Sequence, residues 1–190
     1  NTLVCTNIRG KEKCLRFGDM DSEMLPSCLF VNDEQSILIG EDAREEGVLD
    51  PDNYIFSAKT YMGENKSWTC NGLNFTPTTV ATEVLKVVRE KVVEELKLGE
   101  DESVDAVITV PAYFNSKQRS ETKKAGEAAG INVIRIIDEP TAAAVAFIDN
   151  VDTDGKVFVV DFGGGTFDAT LLSIDGKQIN IIGKNGVHNT

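Results

Sequence analysis

Between residues 80 and 96 the apolar side chains fall four apart, at Val80, Val84, Val88, Val92 and Leu96, with Ala81 and Leu85 beside them. Side chains at that spacing share one face of a helix, so the pattern predicts a long helix with a single apolar stripe. Thr76-Pro77 marks its start, a hydroxyl cap followed by proline at the first helical position, and its end is expected near Gly99. The β-branched run at 104–110 predicts a strand. Asn115, with Gln118 three residues on, predicts a second helix that Gly130 closes. A strand at 132–137, an alanine-rich helix at 141–148 and a nearly all-apolar strand at 157–162 follow. Upstream the units are shorter. Strands are expected at 2–6 and 13–17 around a turn at 9–11, and at 28–31 and 37–39 around the polar turn 32–35. A short helix at 42–48 stops at Asp50-Pro51, and the polar stretch 62–74, with Gly63 and Gly72, reads as a loop or small hairpin.

Strands alternating with helices imply crossover connections and a mostly parallel central sheet covered on both faces, made mixed by the antiparallel pairs at each end. The expected class is α/β. With 41% hydrophobic and 26% charged residues the composition is that of an ordinary globular chain. A net charge of −12 disfavours nucleic acid and anionic membrane surfaces as partners. A nucleotide ligand would then need backbone N–H groups and a divalent cation to supply local attraction. Cys5, Cys14, Cys28 and Cys70 have no CxxC spacing and only His188 to help, which is poor for a metal site. They read as free thiols in a reducing compartment. No apolar run approaches a membrane span and the first residues do not resemble a signal peptide, so a cytoplasmic location is expected.

The sharpest motif runs from Asp161 through Gly163, Gly164, Gly165 and Thr166 to Asp168, between two apolar strands. Three glycines let the backbone approach a ligand closely, and their N–H groups can form an anion-holding concavity to which Thr166 adds a hydroxyl. Asp161, where the strand runs out, is placed to hold Mg2+ through water. The spacing is neither a Walker sequence nor a dinucleotide fingerprint. In the second motif, Asp138-Glu139-Pro140-Thr141 follows directly on a buried strand, where ligands of open α/β sheets collect. Glu139 could orient water or a hydrated metal; on their own Asp138, Glu139 and Thr141 read first as residues that cap a helix and complement its dipole. Lys59 could reach a terminal phosphate, but on its own reads as a surface lysine. Pro111 ends a strand, and Arg119 lies a turn or so into the next helix. A faint echo between 170–177 and 2–11, each a strand and then a Gly-Lys turn, suggests a duplication whose first copy lacks its preceding strand and phosphate loop.

Taken together, Phe56-Ser57-Ala58-Lys59, Val110-Pro111-Ala112-Tyr113-Phe114, Gln118-Arg119, Glu139-Pro140-Thr141-Ala142-Ala143-Ala144 and the glycine motif 161–168 resemble, in order, the ATPase domain of DnaK-type heat-shock chaperones. That family shares the actin-like and sugar-kinase-like fold. The resemblance implies ATP/ADP and Mg2+ as ligands, with K+ a further candidate cation, and ATP hydrolysis coupled to peptide binding. It implies that Lys59 positions the attacking water, that Glu139 and Asp161 act around the hydrated metal, and that Gly163, Gly164, Gly165 and Thr166 bind phosphate. Pro111 and Arg119 would relay nucleotide state to a peptide-binding domain. Expected partners are unfolded peptides, a J-domain co-chaperone and a nucleotide-exchange factor.

On the same resemblance, residues 1–20 with 80–150 form the core subdomain of lobe I, 21–79 its small upper subdomain, and 151–190 the opening strands of lobe II. The first phosphate loop is expected immediately before Asn1, and the adenine pocket beyond Thr190. The stretch 59–76 is short, which resembles the HscC branch. Half of a phosphate cradle is expected to bind ATP poorly, because phosphoryl transfer depends on positioning from several directions at once. The alternatives are a small-molecule kinase of the same superfamily and a non-catalytic interaction lobe.

Overall fold

The computed structural model describes residues 1–8, 10–18, 22–99, 102–148, 154–162, 166–176 and 178–188. Its internal contacts divide the chain into two compact units, residues 1–106 with 121–132 and residues 107–120 with 133–190.

The first unit begins with short strands: β1 (Thr2–Leu3), β2 (Cys5–Ile8), β3 (Lys11–Cys14), β4 (Met24–Leu25), β5 (Leu29–Val31) and β6 (Ile37–Ile39). β2 and β3 form an antiparallel hairpin turning at Gly10, whose φ of 80° is costly for other residues and whose N–H is held by the Asn7 side chain at 2.8 Å. The register sets Cys5 opposite Cys14 with their Cα atoms 4.0 Å apart, and the two form a disulfide. The expectation of four free thiols is therefore corrected: Cys28 and Cys70 are free and buried, and Cys5 and Cys14 are joined. Nine residues of separation form no recognisable cysteine motif. Only the cross-strand register makes them neighbours.

Helix α1 (Glu41–Leu49) ends as expected at Asp50-Pro51, and β7 (Tyr54–Ile55) then adds an unforeseen third strand to give the order β6-β5-β7. Strands β8 (Trp68–Cys70) and β9 (Leu73–Phe75) make a tight hairpin on Asn71-Gly72, both at positive φ, the geometry a two-residue turn demands. Helix α2 (Pro77–Leu96) starts as the sequence dictates. Thr79 N–H donates to the Thr76 hydroxyl at 3.2 Å, and the Thr76 N–H to the Thr79 hydroxyl at 2.7 Å. It ends earlier than Gly99, because Lys97 takes the left-handed conformation and Leu98 N–H closes on the Val93 carbonyl at 3.0 Å. Its stripe packs Val84, Val88 and Val92 against Leu15, Phe17, Leu25 and Val104, and Val80 against Leu29, Val31, Ile55 and Phe75. Such burial stabilises by about 1.5–3 kcal/mol per large side chain.

Strand β10 (Val104–Val110), helix α3 (Ser116–Ala128), strand β11 (Ile131–Asp138) and helix α4 (Glu139–Ile148) follow. Asn115 and Gln118 cap α3 reciprocally at 3.0 and 2.8 Å, and Gly130 at φ 79° closes it, both as expected. The final strands β12 (Gly155–Phe162), β13 (Thr166–Asp175) and β14 (Gln178–His188) form an antiparallel sheet in chain order, with one extra residue in β14 where the register shifts beside Leu171 and Leu172.

The class is mixed α/β, but the expected large central sheet is not one ladder. Among the described residues every sheet has two or three strands, and β10 pairs with β11. A strand covered on both faces is apolar throughout and buried throughout. β10 instead alternates, with Val107 52% exposed, as does β11, with Ile134 62% exposed. No helix among the described residues is long and apolar enough to cross a membrane.

The disulfide closes a loop of roughly ten residues, for which chain entropy predicts a contribution of about 2–3 kcal/mol. Denaturant unfolding with and without dithiothreitol measures it. A midpoint unmoved by the reductant would mean that Cys5 and Cys14 are not bonded in solution.

Candidate functional site

Strand β11 runs straight into α4, so Asp138 ends the strand and Glu139 opens the helix, where a carboxylate complements the exposed N–H groups. Pro140 is buried in the first turn and Glu139 half-buried. Asp138 pairs with Arg119 of α3, and the partly buried setting of both makes this pair worth more than a surface one. The same guanidinium donates through Nε to the Phe114 carbonyl at 2.9 Å and through Nη2 towards the Ala112 carbonyl at 3.4 Å. Pro111, buried, ends β10, and the Phe114 N–H returns to its carbonyl at 3.0 Å. The proline turn 111–114 is thus tied to the β11–α4 junction through one arginine.

The second wall is the β12–β13 hairpin. Asp161 faces Asp168 across the ladder, the first exposed and the second only 8% exposed, and Thr170 beyond it is 2% exposed. Gly163, Gly164 and Gly165 lie outside the described residues. The Thr166 backbone pairs with that of His188. Asp168, Thr170, Lys184, Asn185 and Gly186 line a cavity of about 250 Å3 together with Ala112 and Tyr113. Glycine at 186 is a matter of space, because a Cβ there would collide with the Asp168 carboxylate and stand 3.0 Å from the Phe167 carbonyl.

Tyr113 connects the two walls electrostatically. Its phenol is pushed up to about 12, first by burial and then by the carboxylates of Asp168 and Glu139. The structure therefore brings Pro111, Arg119 and Glu139 into one network and Asp161 into register with Asp168. Lys59 belongs to the first unit, exposed on a 3-10 turn Ala58–Tyr61 that Ser57 enters at φ 54°. Sequence reasoning passed over Tyr113, Thr170, Lys184 and Gly186. Tyr113 sat inside a quoted motif, but Lys184 carried no local signal.

The description "Hsp70 protein" belongs to the family model that matches residues 65–189, a stretch that includes the proline turn, the β11–α4 junction and the glycine motif. This chain belongs to the Hsp70 family. Among its Hsp70 relatives, the chaperone protein DnaK of Methanothermobacter thermautotrophicus is 38% identical over 190 residues, 98% of this chain. Those of Nitrosopumilus maritimus and Cenarchaeum symbiosum are each 39% identical, over 163 and 162 residues, 85% of this chain. The chain spans 31%, 25% and 24% of those three Hsp70 relatives respectively. The resemblance stated from the motifs is thereby borne out at the level of the family.

A neutral Tyr113 gives a pH test. The folded protein holds this proton more tightly than the unfolded chain, whose tyrosine ionises near 10. Its contribution to stability is complete below about pH 10 and is lost as pH rises toward 12. In an absorbance titration of phenolate the wild type should show a step near 12 that Tyr113→Phe removes. An unchanged curve above pH 11 in the variant would refute the assignment.

Proposed function

We propose that the longer protein carrying this chain is a molecular chaperone that hydrolyses ATP to drive cycles of peptide binding, and that this chain supplies one side of its nucleotide site. The observation that carries the reading is the register that sets Asp161 opposite Asp168 beside the glycine motif that the family match includes, with Glu139 opening α4 where β11 ends. The match favours this over a small-molecule kinase. Exposed apolar positions on β12, such as Phe158 at 63%, support the view that more of the longer chain packs here.

The donor chemistry suits a hydrated divalent cation. Asp161 and Asp168 face one another with carboxylate oxygens, the ligands hard cations take, yet among the described residues no three such side chains converge to form a direct cage. Glu139 and Asp161 would therefore hold Mg2+ through water. When bound, that ion would neutralise charge on the phosphates of ATP. The N–H groups of Gly163, Gly164 and Gly165 and the Thr166 hydroxyl would hold phosphate oxygens. Lys59 would position the attacking water, and Pro111 with Arg119 would pass the state of the site to a peptide-binding domain. Residues 1–20 with 80–150, 21–79 and 151–190 would be the corresponding subdomains. Unfolded peptides, a J-domain co-chaperone and an exchange factor would be the partners, and the cytoplasm the location. In that reducing compartment Cys5–Cys14 would be open to reduction.

Two measurements test this. Calorimetric titration should find Mg-ADP bound tightly by the full-length protein and weakly by residues 1–190; equal affinities would mean the residues in this chain suffice. In the full-length protein Lys59→Ala should lower ATP turnover by roughly a hundredfold or more while nucleotide affinity changes by only a few-fold. Undiminished turnover would remove Lys59 from the mechanism.

A further inference from the structure

Lys184 stands directly opposite Thr170 across the β13–β14 ladder, and Gly186 opposite Asp168, so these positions share one face of the sheet and one wall of the cavity. From that face the Lys184 ammonium donates to the Ala112 carbonyl at 2.5 Å, a bond between residues 72 apart in sequence. The other donor to this carbonyl, Arg119 Nη2, is 3.4 Å away, too long to hold it well. Arg119 is already committed, to Asp138 and to the Phe114 carbonyl. The proline turn is therefore fixed from two sides. Arg119 fixes its far end to the β11–α4 junction, and Lys184 fixes its middle to the sheet.

We propose that Lys184 is a positioning residue, a clamp through which β13 and β14 set the place of the proline turn and of the Tyr113 side chain that lines the cavity with Asp168. The geometry favours a specific role over a surface contact for three reasons. The bond is charge-assisted and partly buried, the class of hydrogen bond with the largest net worth. Its acceptor is a backbone carbonyl, so it fixes main chain rather than a movable side chain. The strand that faces Lys184 is the one the glycine motif leads into, so a displacement of β13 passes across the β13–β14 ladder and along the Lys184 side chain to Ala112.

The test uses the full-length protein with Lys184→Met, which keeps the stem and removes the donor, and Lys184→Arg, which keeps a donor. Hydrogen exchange, read with and without Mg-ADP, should accelerate roughly tenfold across the amides of residues 112–114 in the Met variant, with α2 unchanged. The Arg variant should restore most of the protection. The consequence for turnover rests on the ATPase reading: kcat should fall roughly tenfold in the Met variant with KM nearly constant, and recover with Arg. Exchange at 112–114 unaltered by Lys184→Met would overturn the clamp, as would acceleration that Arg does not reverse. If the wild type hydrolyses no ATP, the ATPase reading falls, and the exchange result alone decides the clamp.

Discussion

A carboxylate that folding removes almost wholly from water constrains everything near it. Burying a charge costs several kcal/mol unless the surroundings compensate, and Asp168 is buried on the central strand of the β12-β13-β14 sheet. The residue opposite must leave room, which only glycine does at 186. The phenol of Tyr113 must stay protonated beside it. The proline turn that delivers Tyr113 must be held in place, and two cations from different elements hold it. The cavity, the turn and the strand ends are one arrangement about this group.

Local rules made the helices legible. The four-residue repeat of valines, the Thr76 cap with its proline, and the Asn115–Gln118 pair each act within a few residues, so each could be read directly. What escaped was set at long range. β7 has two residues and no period to detect, and it becomes a strand because β5 offers an edge. The pairing of Cys5 with Cys14 follows from hairpin register. The end of α2 moved to Lys97 because closing on the Val93 carbonyl places Leu98 against the core. Of the site, the acidic strand ends and the glycine motif were visible as strings. The contact of Lys184 with Ala112 depends on two chain segments meeting and leaves no mark in either.

The two units differ in how completely they bury their apolar groups. In the first, α2 serves two clusters at once, with Val84, Val88 and Val92 in one and Val80 in the other. In the second, β12 keeps Phe158 and Val160 on its open face, and α4 keeps Val145 and Phe147. A two-layer domain needs both sides of a sheet or helix either polar or covered. The second unit satisfies this on the Asp168 side only.

The register shift in β14 has a consequence of an evolutionary kind. Leu171 faces Gly183 while Leu172 faces Ile181, so Ile182 is the surplus residue of a bulge. The pairing on either side of it is one-to-one, so the strand carries one residue more than the ladder needs. The loss of a single codon at the bulge would restore regular pairing and leave Lys184 opposite Thr170 and Gly186 opposite Asp168, which makes the length of this strand, at that one point, a looser inheritance than the letters at 184 and 186.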